Sequence, residues 1–101
     1  MADWTSDSNK QLLARQLGRR LREARIDSEL LLDQVAGLTG SSQQHISDCE
    51  RGRRLPSIPL LVSLADAYQV LLVDLLVGVY PFGSATRPRR LPSKPPDGRA
   101  T

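Results

Sequence analysis

Apolar positions recur along the first two thirds of the chain at helical spacing. Leu13, Leu17, Leu21 and Ala24 fall on one stripe, with Leu12 beside them and Arg15, Arg19, Arg22 and Glu23 opposite. This predicts an amphipathic first helix, opened by a capping box of Ser8 and Gln11 and ending near Ile26. After a turn over 27–31, Leu32 to Leu38 makes a second helix with Val35, Ala36 and Leu38 inward. Thr39-Gly40-Ser41 breaks it. Ser42 then caps a third helix, which Gly52 ends as the left-handed residue just past its last turn. At about 100° per residue, Ile46 and Cys49 share its inner side, with His45 at the edge. Ser57 caps a fourth helix that tolerates Pro59 in its first turn, and Leu60, Leu61, Leu64, Ala65 and Tyr68 form its apolar face. Gln69-Val70 turns the chain, and Leu72 to about Gly78 reads as a short fifth helix with Leu72, Leu75 and Leu76 toward the core.

From Phe82 onward Pro, Arg, Ser and Gly dominate and no period survives, which predicts a disordered tail. The expected organisation is a lead-in over 1–7, with only Trp4 suited to docking, one all-α domain over 8–80, and a tail over 81–101. No strand pattern or internal repeat is visible.

Charge adds to this picture mainly through its placement. Residues 1–80 hold nine Lys or Arg against ten Asp or Glu, net −1, while residues 81–101 hold five against one, net +4. The overall +3 therefore belongs to the tail. One cysteine excludes an internal disulfide, and His45 with Cys49 does not make a metal site. No apolar run approaches the roughly 20 residues that span a bilayer, and Met1 to Asn9 is too polar for a signal peptide, so a cytoplasmic protein is expected. No Ser-His-acid set, Gly-rich phosphate loop or carboxylate pair is present, so neither catalytic residues nor a cofactor are expected.

The chemistry lies on the third helix. Gln43, Gln44, Ser47, Asp48 and Arg51 share its outward face. A glutamine amide offers a donor beside an acceptor, the pairing that matches adenine N6 and N7, and a carboxylate accepts from cytosine N4. Arg53 and Arg54 follow directly in a basic loop suited to phosphates. Two short helices joined by a glycine turn are the helix-turn-helix pattern.

These residues carry a resemblance. From Leu17 to Leu76 the chain resembles the Cro/C1-type (XRE-like) helix-turn-helix domain of phage and bacterial repressors. The matching residues are Leu21-Arg22-Glu23-Ala24-Arg25, Val35-Ala36, Gly40, Ile46-Ser47, Glu50-Arg51-Gly52, Pro56-Ser57 and Leu64-Ala65. The Gln43-Gln44 pair is similar to that of some lambdoid phage repressors. The resemblance implies a five-helix, lambda-repressor-like domain whose second and third helices form the reading unit. It implies that Gln43, Gln44 and Ser47 face the major groove and that Arg25 and Glu50 form an inward ion pair. The residues themselves add Asp48 to the expected base contacts, and Ser42, Arg51, Arg53 and Arg54 as expected phosphate contacts. The chain departs from the family at Leu31 and Leu32, where Ser or Thr and then Gln are usual, at Thr39 and Ser41 beside the turn glycine, and at Cys49, where members carry an aliphatic residue.

Leu30-Leu31-Leu32 and Leu71-Leu72-Val73, with Val77, Val79 and Tyr80, exceed what one small core needs. A homodimer interface over Leu71, Val73, Val77 and Tyr80 is expected. The resulting expectation is a sequence-specific repressor, bacterial or phage-derived, that binds double-stranded DNA as a homodimer and is nucleoid-associated when bound. The alternative is a protein-interaction module, such as the antitoxin of a toxin–antitoxin pair, gripping a protein partner through the same apolar surface.

Overall fold

The computed structural model describes residue 3 and residues 5–79. Trp4, Tyr80 and the tail lie outside the described residues. Four α-helices run in order, α1 over Asp7–Asp27, α2 over Leu32–Thr39, α3 over Gln43–Glu50 and α4 over Ile58–Tyr68, followed by a 3-10 turn over Leu72–Leu76. There is no strand among the described residues.

Helix starts follow local side-chain chemistry. Ser42 Oγ accepts from the backbone N–H of His45 at 3.0 Å, and Ser57 Oγ from that of Leu60 at 3.2 Å. Each satisfies one of the donors that a helix start leaves unpaired. At α1 the cap is Ser6, which accepts from Asn9 at 3.3 Å, and the Ser8–Gln11 box expected from the sequence is not the start. Two serines two residues apart both offer a cap. The earlier one wins where Asn9 Nδ2 also bonds the Asp3 carbonyl at 2.8 Å and Asp7 enters the positive first turn. Leu31 has no side-chain acceptor for the start of α2; Gln34 Oε1 reaches back instead and accepts the Leu31 N–H at 2.8 Å.

Buried Leu17, Leu21 and Ala24 of α1, Val35 of α2, Ile46 and Cys49 of α3, Leu60, Leu61, Leu64, Ala65 and Tyr68 of α4, and Leu75 form one core. Leu30 and Leu32 pack against it, while Leu31 and Leu38 are exposed. The inward placement expected for Leu38 is thus corrected. Val35 sits at the centre of the buried side with Leu32 and Ala36 flanking it, and a residue three beyond Val35 on the opposite flank points away.

The expected fifth α-helix is also corrected. Leu72–Leu76 is a single 3-10 segment, stopped before Gly78, whose φ is +86°. At about three residues per turn, positions three apart eclipse. Leu72 and Leu75 therefore share the core side, and Leu76, expected to join them, is exposed. The segment is tied to α1 by Arg20, whose Nε donates to the Asp74 carbonyl at 2.8 Å.

Candidate nucleic-acid interface

The position of α3 is set from its inner side. Gly18 of α1 is the point of closest approach, since a Cβ there would lie 2.6 Å from the Glu50 carbonyl oxygen and closer still to that of Cys49. Nearby, Arg25 Nε donates to Glu50 Oε2 at 2.8 Å and its Nη2 to Oε1 at 3.2 Å, while Nη1 donates to the Leu30 carbonyl at 2.9 Å. One guanidinium thus joins α1, the turn after it and the last residue of α3. The side chains of Arg25 and Glu50 are only 13% and 6% exposed, and their contact holds the guanidinium pKa above its ordinary value.

Tyr68 approaches the same place from α4. Its hydroxyl is buried with no hydrogen-bond partner among the described residues. Burial, and then the Glu50 charge, push the phenol above the ordinary tyrosine value of 10. The folded phenol stays protonated where the unfolded one ionises, so stability falls as pH rises past 10. Tyr68→Phe should flatten that decline and leave stability at pH 7 unchanged or higher by up to about 1 kcal/mol. Urea denaturation at the two pH values checks this, and a loss above about 1 kcal/mol at pH 7 would contradict it.

The turn between α2 and α3 is polar but locally satisfied. Gly40 takes φ +79° and donates to Ala36 O at 2.9 Å. Thr39 Oγ1 donates to Val35 O at 2.9 Å and accepts from Ser41 N–H at 3.3 Å. Hydroxyl bonds thus take the place of the apolar packing usual on either side of the glycine.

At the other end of α3, Arg53 N–H donates to Asp48 O at 2.9 Å and Gly52 N–H to Cys49 O at 3.2 Å, with Gly52 at φ +77°. This pair of bonds is a Schellman motif. It folds the basic loop back along the helix that it ends.

Outward, Ser42, Gln43 and Gln44 are exposed, as are Arg51, Arg53 and Arg54, and Ser47 is half-buried. Gln43 has no side-chain partner among the described residues. Gln44 Nε2, by contrast, donates to Asp48 Oδ1 at 2.9 Å. Asp48 is not a free acceptor on the outer face. Its side chain is 17% exposed and also faces Arg53 Nη1 at 3.9 Å and Arg54 Nε at 3.7 Å. The sequence placed Asp48 beside Gln44 but gave no sign of this convergence, because it depends on the return of the loop. Arg20 was likewise missed, and no sequence signal marks its backbone acceptor. Cys49 is buried, which pushes its thiol pKa up.

An amide pair and a hydroxyl on the open face of a clamped helix, with three exposed arginines at its end, form a surface suited to a base-lined, phosphate-walled groove. Leu71 and Val77 flank the 3-10 segment and Val73 lies on it; they are 68%, 59% and 61% exposed. No helix among the described residues is long and apolar enough to cross a membrane.

The chain is similar to several known proteins. The transcriptional regulator DdrOP3 of Deinococcus deserti is 44% identical over 70 residues, which are 69% of this chain and 54% of that protein. The chain therefore spans about half the length of this relative. The restriction-modification controller protein C.AhdI of Aeromonas hydrophila superposes with a TM-score of 0.59 at 31% identity, covering 61% of this chain and 94% of that one. The clp gene regulator ClgR of Corynebacterium glutamicum gives 0.63 at 34% identity, covering 64% and 69% respectively. A family profile described as a helix-turn-helix domain matches residues 16–76, a span that holds the Arg25–Glu50 clamp, the Gly40 turn and the whole of α3. The chain belongs to the helix-turn-helix domain family, with the Cro/C1-type (XRE-like) arrangement.

Proposed function

We propose that the protein is a repressor that reads a two-fold related DNA site as a homodimer, with α3 in the major groove. Gln43, Gln44 and Ser47 face base edges, with Asp48 at the margin of that face. Ser42, Arg51, Arg53 and Arg54 contact phosphates. The observation that carries this reading is the fixed geometry of α3. Its inner side is locked by the Gly18 crossing and the Arg25–Glu50 pair, and its outer amides and flanking arginines are exposed. A rigid element presents its side chains to the groove without a further backbone ordering cost.

Selection of bound sequences from random duplex DNA tests the reading. The expected result is an inverted repeat with half-sites about 34 Å, one helical turn, apart. A pool with no enriched sequence would overturn it. The dimer is supported by the exposed apolar side chains of Leu71, Val73 and Val77 beside buried Leu75. Closed two-fold pairing covers such a face on both copies at once. The double variant Leu71→Glu, Val73→Glu should size as a monomer where the parent sizes as a dimer. A monomeric parent, or a dimeric variant, would show that this is not the interface.

A further inference from the structure

Asp48 occupies an awkward place for an acid. It lies in the last turn of α3, where the helix carbonyls already concentrate negative charge, and it borders a surface assigned to a polyanion. What surrounds it gives it a use. A carboxylate only accepts, so its 2.9 Å contact with Gln44 fixes that amide with its nitrogen toward Asp48. The amide keeps its carbonyl and a second N–H for a base. The Schellman turn sets Arg53 beside Asp48, in the pair of positions where a hydrophobic contact is usual, and Arg54 follows at 3.7 Å. Three donors of the DNA-facing surface thus converge on one carboxylate.

The geometry points to Asp48 as a specificity-determining residue that stands in for DNA in the free protein: it holds Arg53 and Arg54 back from indiscriminate phosphate contact and holds Gln44 oriented for a base. The inference rests on the reading of α3 given above. Both arginine pairs are long, and the Arg53 and Arg54 side chains are 62% and 60% exposed. Such pairs are individually weak, so the phosphates of a seated duplex displace them. The Gln44 contact involves no arginine and persists in the seated complex. Asp48 therefore lowers affinity for any polyanion while supporting the contact that only the right base rewards.

Two substitutions in the full-length chain separate these effects. Asp48→Asn keeps an acceptor for Gln44 but removes the charge that faces the arginines; Asp48→Ala removes both. Each is titrated with polyphosphate, which has no bases, with non-cognate duplex, and with the selected site, over a salt series. Both variants should bind polyphosphate and non-cognate duplex on the order of tenfold more tightly than the parent, with a salt slope steeper by about one. In an Arg53→Gln, Arg54→Gln background that gain should vanish. On the selected site Asp48→Ala should bind on the order of tenfold more weakly than Asp48→Asn.

An unchanged polyphosphate affinity and slope in Asp48→Asn, or a gain that survives loss of both arginines, would overturn the restraint. Equal binding of the selected site by the two variants would overturn the orienting role. Failure of the base-reading assignment itself would show differently, as a selection with no preferred sequence, and the polyphosphate titration would still decide the restraint.

Discussion

Glu50→Ala should lower the free energy of unfolding by about 3 kcal/mol, because it strands a largely enclosed guanidinium without its counter-charge. Arg25 is mostly enclosed, and two of its three hydrogen bonds end on the Glu50 carboxylate, at 2.8 and 3.2 Å. The third, to Leu30 O, cannot replace the lost charge. Replacing both partners with apolar residues of similar volume should recover most of the loss, since desolvating an ion pair offsets much of its attraction. Urea denaturation of the single and double variants measures both effects. A single variant within about 1 kcal/mol of the parent would mean that the pair does not anchor α3.

Gly18→Ala is the second large effect, and its sign is the informative part. In an ordinary helix interior, alanine in place of glycine stabilises by about 1 kcal/mol. Here the new methyl would stand 2.6 Å from the Glu50 carbonyl oxygen and nearer still to that of Cys49. These are backbone atoms at the end of α3, so relief requires the two helices to separate. Overpacking of this kind costs about 3 kcal/mol, which leaves a net loss near 2 kcal/mol. Separation would also tilt α3 against the arginine clamp, so affinity for the selected duplex should fall together with the thermal midpoint. A variant as stable as the parent would show that the crossing is looser than the structure has it.

What could be read from the chain in advance was what is decided locally. Ser42, Ser57, Gly40 and Gly52 each act within one turn of their own position, and the helix ends fall where they indicate. The apolar stripes of α1 and α4 identify most of the core, and the family resemblance implies the pairing of Arg25 with Glu50, which the structure holds at 2.8 Å. The choice between Ser6 and Ser8 was not legible, because both are competent caps and a side-chain bond from Asn9 to Asp3 favours the earlier one. The apolar run at 71–77 looked α-helical, but only five residues of it are helical, and the 3-10 phase turns Leu76 outward. Gly18 could have been found, since an isolated glycine in a helical period needs a packing reason. The convergence of Arg53 and Arg54 on Asp48 could not, because the two arginines reach it only through the turn that ends α3.

If α3 reads bases through Gln43 and Gln44, as proposed, their loss should be felt on one DNA sequence and not on another. Affinities of the parent, Gln43→Ala and Gln44→Ala are measured at one salt concentration on the selected duplex and on a scrambled duplex of the same length. Each alanine should weaken the selected complex by about 1–3 kcal/mol and leave the scrambled complex within a factor of about two. Equal losses on both duplexes would make the glutamines general contacts, and no loss on either would move the reading face away from Gln43 and Gln44. Either result would contradict base reading by these two glutamines.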